Sequence, residues 1–201
     1  MRSVPTADER FKCELVSRDG VRLHVRPIRA DDVDRERCFI AALSEESRYQ
    51  RLFYVLREPS LQLLSQLTTI DFDRTMALVV VDPSSSSGDF VAVARYARDT
   101  TGKSAEFAVT VANQWQGRGV GTQLTTTLFE FAARRGIEHI YGTVFATNER
   151  MLQVARNLGM TVTSVPGDAS LMIVSLDLEA VRPTSPRCQP ARRTQRGFMG
   201  Q

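Results

Sequence analysis

Glu106 Phe107 Ala108 Val109 Thr110 Val111 Ala112 Asn113 Gln114 Trp115 Gln116 Gly117 Arg118 Gly119 Val120 Gly121 Thr122 is the stretch on which the fold turns. Its first part is rich in β-branched residues and reads as a strand. Glycines then alternate at 117, 119 and 121, and Val120, Leu124, Leu128 and Phe131 recur at helical spacing. A strand running through a glycine turn into a helix brings backbone N–H groups and the positive end of the helix to one concavity, which is how a phosphate cradle is built.

Outward from this stretch, residues 75–81 carry an unbroken apolar run from Met76 to Val81, the pattern of a strand buried on both faces. A serine-rich loop leads to a strand over 90–98, and a turn with Gly102 leads to the strand carrying Glu106. Downstream, the helix stops at Gly136 and a strand covers 137–145. Asn148 caps another helix that ends at Gly159, and two strands follow over 160–165 and 171–178. Upstream, Val21, Leu23 and Val25 alternate with polar residues up to Pro27. Helices are expected from Asp31, with Val33, Cys38, Ala41 and Leu43 on one side, from Ser44, and over 61–68 after Pro59 and Ser60. The order gives an α+β fold in one domain. Residues 1–12 read as a flexible arm, 13–180 as the folded domain and 181–201 as a basic disordered tail.

The 201 residues carry 26 basic and 23 acidic side chains, a formal net charge of +3. Five of the arginines (Arg182, Arg187, Arg192, Arg193, Arg196) fall in the tail without an acid. The preceding 180 residues therefore hold 21 bases against 23 acids, and nucleic acid is not an expected partner of the folded part. No apolar run reaches a membrane span's ~20 residues, so a cytoplasmic protein with no membrane partner is expected. Cys13, Cys38 and Cys188 are scattered with no C-x-x-C pair, and read as unpaired thiols rather than a disulfide frame or metal site. His24 and His139 fall inside expected strands, with burial or solvation as their ordinary roles.

The glycine spacing excludes two phosphate-binding motifs. A dinucleotide fingerprint needs a glycine at the sixth position, where Thr122 or Leu124 stands, and no lysine follows the turn as in an ATP phosphate loop. The pattern Q/R-x-x-G-x-G/A is met by Gln116 Gly117 Arg118 Gly119 Val120 Gly121. With it the sequence resembles the GCN5-related N-acetyltransferase (GNAT) family over residues 21–178. Within that family it is most similar to the acetyltransferase domain of bacterial Pat-type protein lysine acetyltransferases. The matching stretches are 43–53, 67–77, 105–109 and the helix start Asn148 Glu149 Arg150 Met151 Leu152.

The resemblance implies the GNAT fold: a mixed, mostly antiparallel central sheet with a splayed parallel strand pair, flanked by helices. It implies acetyl-CoA as cosubstrate, with no metal. The pantetheine would lie against Val109, Thr110 and Val111, the pyrophosphate on Gln116, Gly117, Arg118, Gly119, Val120, Gly121 and Thr122, and Asn148 and Met151 on the other side. Glu106 matches the general-base position, on a strand expected to half-bury it. The Tyr that many members use as general acid is replaced by Ala155. Asp71 and Asp73 are expected to draw a cationic acceptor toward the site. The expected reaction is acetyl transfer to a protein lysine. A small-amine acceptor and a weakly catalytic acetyl-CoA sensor are the alternatives.

Overall fold

A computed structural model describes residues 11–52, 59–178 and 189–190. In chain order the elements are β1 (Cys13–Val16), β2 (Arg22–Pro27), α1 (Val33–Ala42), α2 (Glu45–Leu52), α3 (Leu61–Thr68), β3 (Thr75–Val81), β4 (Phe90–Arg98), β5 (Ser104–Val111), α4 (Val120–Arg134), β6 (His139–Phe145), α5 (Glu149–Asn157), β7 (Thr161–Val165), β8 (Asp168–Asp177) and β9 (Gln189–Pro190). They build one sheet in the order β7-β8-β6-β5-β4-β3-β2-β1-β9. Its pairings are antiparallel except β5–β6, which is parallel, so the mixed sheet expected of a GNAT fold is observed.

β3 shows why its run is uninterrupted. Met76, Leu78 and Val80 join the core under α4 with Leu124, Leu128 and Phe131. Ala77 and Val79 face the other layer with Phe39, Ile40 and Leu64 of α1 and α3. Each fully buried aliphatic side chain contributes about 1.5–3 kcal/mol, enough to fix the strand between both layers.

The helical layer opposite α4 differs from the expected stripe. Cys38 and Ala41 are exposed, whereas Glu36, Phe39 and Ile40 are buried. The reason is ionic: Glu36 pairs with Arg95 of β4 at 3.1 Å, so an acid occupies the inner face. Arg95 also donates to the Leu67 carbonyl, tying α3 to the sheet. Nearby, Arg26 makes a two-pronged pair with buried Asp32 at 2.6 and 2.7 Å. Burial pushes the Asp32 carboxyl up, but the Arg26 bonds and charge outweigh it and hold it below the usual carboxylate range.

At the start of the chain the structure adds β1, a four-residue strand too short to register as periodicity, with Cys13 and Leu15 buried. Cys13 is disulfide-bonded rather than a free thiol, because sequence spacing hides which cysteines the fold brings together. Cys38 is a free, exposed thiol, and Cys188 lies outside the described residues. Gln189 and Pro190, within the stretch read as a disordered tail, pair with Glu14 and Cys13 at the sheet edge, where a proline is tolerated. Residues 1–10 of the expected arm at 1–12 and the five tail arginines lie outside the described residues. Among the described residues no helix is long and apolar enough to cross a membrane.

Candidate active site

β5 and β6 pair only from Ser104, Ala105 and Glu106 to His139, Ile140 and Tyr141. Beyond that point β6 continues alongside β8, and a gap opens against β5. Antiparallel registers alternate which residues bond the neighbour. Ala112 donates to Val91 of the β4 side, so Ala112, Thr110 and Ala108 turn their backbone groups toward β4. Phe107, Val109 and Val111 therefore turn theirs toward β6, into the gap. Phe107 still lies against β6 beside the last paired residue and Gln116 holds the Val111 carbonyl, so the divergence leaves the Val109 backbone and the Val111 N–H for a ligand to pair with, as an added strand would.

A cleft of about 1110 Å³ fills the gap and runs from the glycine turn to α3. Glu106, Val109, Thr110, Val111, Gln116, Gly117, Gly119, Val120, Gly121, Thr122, Asn148 and Met151 all line it, brought together by β5, the turn and α5.

The glycines have separate reasons to be there. Gly117 and Gly119 have φ of 75° and 80°, the left-handed region that lets the turn reverse into α4. Gly121 has ordinary φ, but a Cβ there would meet Val111 Cγ2 at 3.1 Å, so it lets the helix start close against β5.

Gln116 joins three parts of the wall. Its Nε2 donates to the Val111 carbonyl at 3.0 Å and to Ser47 of α2 at 3.3 Å, and its Oε1 accepts from Arg150 of α5. Asn148 caps α5 through Oδ1, which accepts from the Met151 N–H at 3.0 Å. Its side-chain oxygen thus serves the helix, while the residue faces the cleft.

Thr110 tests whether a cofactor fits. It is 8% exposed, lines the cleft, and its hydroxyl has no hydrogen-bond partner among the described residues. A buried polar group left unpaired costs about 1–3 kcal/mol, so such an atom in a ligand cleft marks a partner still to arrive. The amides of the pantetheine arm are suitable partners, and the turn's bare backbone suits a pyrophosphate.

Glu106 is exposed rather than half-buried. It is the last β5 residue paired to β6, opposite Tyr141, and its neighbour across β4 is Ala97, whose small side chain leaves room beside the carboxylate. Tyr96 also borders the cleft, but burial pushes its hydroxyl up to about 12 against the opposing pull of Arg98, so it stays protonated at neutral pH. Ala155 is fully buried and offers no proton donor.

Three expected site residues do not line the cleft. Arg118 turns away, pairing with Asp19 at 2.8 Å and stacking over Trp115 at 4.9 Å. Asp71 Oδ1 accepts from the N–H groups of Asp73, Arg74 and Thr75 at 2.8–3.0 Å, so it shapes its own loop. Burial pushes that carboxyl up, and the N–H donors from Thr75, Asp73 and Arg74 outweigh it and leave it below the usual range. Asp73 is exposed, 4.0 Å from Arg98. His24 and His139 are surface residues, facing Glu14 and Asp177. Conversely, Arg18, Ser44 and Ser47 line the cleft from distant parts of the chain, although none of them was an expected site residue.

A family model described as "Acetyltransferase (GNAT) family" matches residues 32–160, which include the splayed strand, the glycine turn and the α5 cap. The chain belongs to the GNAT acetyltransferase family. Among its relatives, acetyltransferase PA5475 of Pseudomonas aeruginosa is 34% identical over 160 residues, covering 80% of this chain and 86% of that protein. Acetyltransferase Pat of Mycolicibacterium smegmatis is 28% identical over 165 residues, covering 82% of this chain. This GNAT chain spans 48% of the length of Pat. The GNAT domain of S. lividans PAT superposes with a TM-score of 0.75 at 29% identity, covering 83% of this chain and 96% of that domain. This GNAT acetyltransferase is therefore close to the Pat type.

Proposed function

We propose that this acetyltransferase moves the acetyl group of acetyl-CoA onto protein lysine side chains by direct attack in a ternary complex, with Glu106 as general base. The observation that carries the reading is the exposed Glu106 carboxylate at the apex of the splay, three residues before Val109, whose N–H points into the gap. An ammonium has no lone pair, so the acceptor must lose a proton before it attacks, and a carboxylate opening on the cleft receives it directly or through one water. The Val109 N–H is offered to the oxygen that gains charge as the C–N bond forms. The thioester supplies a leaving group whose conjugate acid is comparatively weak, with a pKa near ~8.5, so solvent protonates it without a side-chain acid at Ala155.

Val109, Thr110, Val111, Asn148 and Met151 would hold the pantetheine half. Gln116 and the backbone of residues 117–122 would hold the pyrophosphate. The lysine reading is supported by the likeness to the Pat type and by Leu63, Leu67 and Ile70 on the acceptor end of the cleft, an apolar wall for a methylene stem. The test is incubation with acetyl-CoA and a panel of acyl-CoA ligases and small amines, read by mass spectrometry. The reading expects acetyl-lysine on a protein acceptor. Acetylation of small amines alone would replace the acceptor, and CoA binding with no transfer would leave a sensor.

A further inference from the structure

The β1–β2 hairpin sits on the glycine turn although 99 residues separate them in sequence. The Arg18 N–H donates to the Arg118 carbonyl at 3.0 Å, and Gln123 at the start of α4 donates to the Val16 carbonyl at 2.9 Å. Asp19 holds Arg118 at 2.8 Å, and its carboxyl is kept below the usual range by the Ser17 hydroxyl and by Arg118 itself. The pair therefore stays ionised at neutral pH and keeps the Arg118 guanidinium over Trp115, outside the cleft.

Arg18 is placed the opposite way. Its side chain lies across the bare Cα of Gly119, where a Cβ would meet its Cγ at 3.4 Å and its Nε at 3.5 Å. It lines the cleft, and Nη1 donates to the Gly117 carbonyl at 3.3 Å. Among the described residues it has no carboxylate partner, whereas Arg118 is neutralised and Arg150 is engaged with Gln116. A guanidinium carries five N–H donors in a fixed fork, so one bond to a carbonyl leaves most of them for a phosphate.

We infer that Arg18, and not Arg118 of the motif, is the arginine that holds a phosphate of the cofactor's nucleotide half, delivered to the turn by the β1–β2 hairpin. The inference rests on the proposed orientation of coenzyme A, with its pyrophosphate at the turn. Asp19 has the complementary task of keeping the rival cation out of the cleft.

Calorimetric titration of the full chain with coenzyme A, dephospho-coenzyme A and S-acetylpantetheine tests it, using wild type, Arg18→Ala, Arg18→Lys and Arg18→Glu. Arg18 is exposed, so the variants are expected to fold, and thermal melts verify this. Arg18→Ala is expected to weaken coenzyme A about tenfold, Arg18→Glu more, and Arg18→Lys less, while S-acetylpantetheine binds all four alike. Loss shared by coenzyme A and dephospho-coenzyme A assigns the contact to the pyrophosphate; loss confined to coenzyme A assigns it to the 3′-phosphate. Wild-type affinity in Arg18→Ala, or an equal loss with S-acetylpantetheine, overturns the inference. If wild type binds no coenzyme A, the cofactor reading itself fails.

Discussion

The two ends of the cleft are built on different principles. The cofactor end is mostly backbone: the inward-facing groups of Val109 and Val111, the left-handed turn at Gly117 and Gly119, and the start of α4, all within one local stretch. The end proposed for the acceptor is made of side chains from α3, β3 and β4, braced by the Glu36–Arg95 pair from α1, with the Arg26–Asp32 pair behind it outside the cleft. Backbone geometry at the first end tolerates substitution at most positions other than the glycines, Arg18 and Thr110. The second end depends on particular charged pairs, so on the proposed reading a change there spares the cofactor end.

If this contrast holds, damage to the second end spares the first. Asp32→Ala leaves Arg26 without its buried partner and is expected to lower stability by about 3 kcal/mol in urea unfolding. The folded fraction is expected to bind coenzyme A unchanged; a parallel loss of affinity would join the two ends. The pH dependence has a defined sign. The folded carboxyl lies below its unfolded value of ~3.9, so its contribution is present above that pH and is lost as pH falls through the folded value. The difference between wild type and variant is thus expected to shrink below about pH 4.

A smaller change sharpens the cofactor side. Thr110→Val removes an unpaired buried hydroxyl while keeping the shape, so melting temperature is expected to hold or rise. Coenzyme A affinity is expected to fall about threefold to tenfold if that hydroxyl serves the ligand. A fall in stability with affinity intact would mean that the hydroxyl belongs to the fold.

The smallest effects separate the two aspartates. Asp71→Ala removes the acceptor of three backbone N–H groups and is expected to cost about 1 kcal/mol of stability. Asp73→Asn is expected to raise the acceptor KM only about twofold, and less at high salt, as befits an exposed charge. A larger, salt-insensitive KM change would place Asp73 in contact with the acceptor.

The same contrast explains what the sequence made legible. Glu106 to Thr122 could be read because strand, turn and helix start follow one another and their chemistry is in the backbone. The limits of α3, β3 and β4 were also legible, from apolar spacing and from Ser60, whose side chain caps α3. Arg18 was not, because its place on Gly119 depends on the β1–β2 turn meeting the start of α4, a contact across 99 residues of sequence. Nor was buried Glu36, since an acid counts as surface until Arg95 is seen beside it. Arg118 misled because its motif position says nothing of the distant Asp19 that captures it.

In the proposed mechanism β5 binds with its backbone and catalyses with one side chain. Glu106→Gln, measured for both coenzyme A affinity and steady-state acetyl transfer, tests it most directly. Affinity is expected to be unchanged and kcat lowered by about 10²–10³-fold. Transfer at the wild-type rate by Glu106→Gln would contradict it.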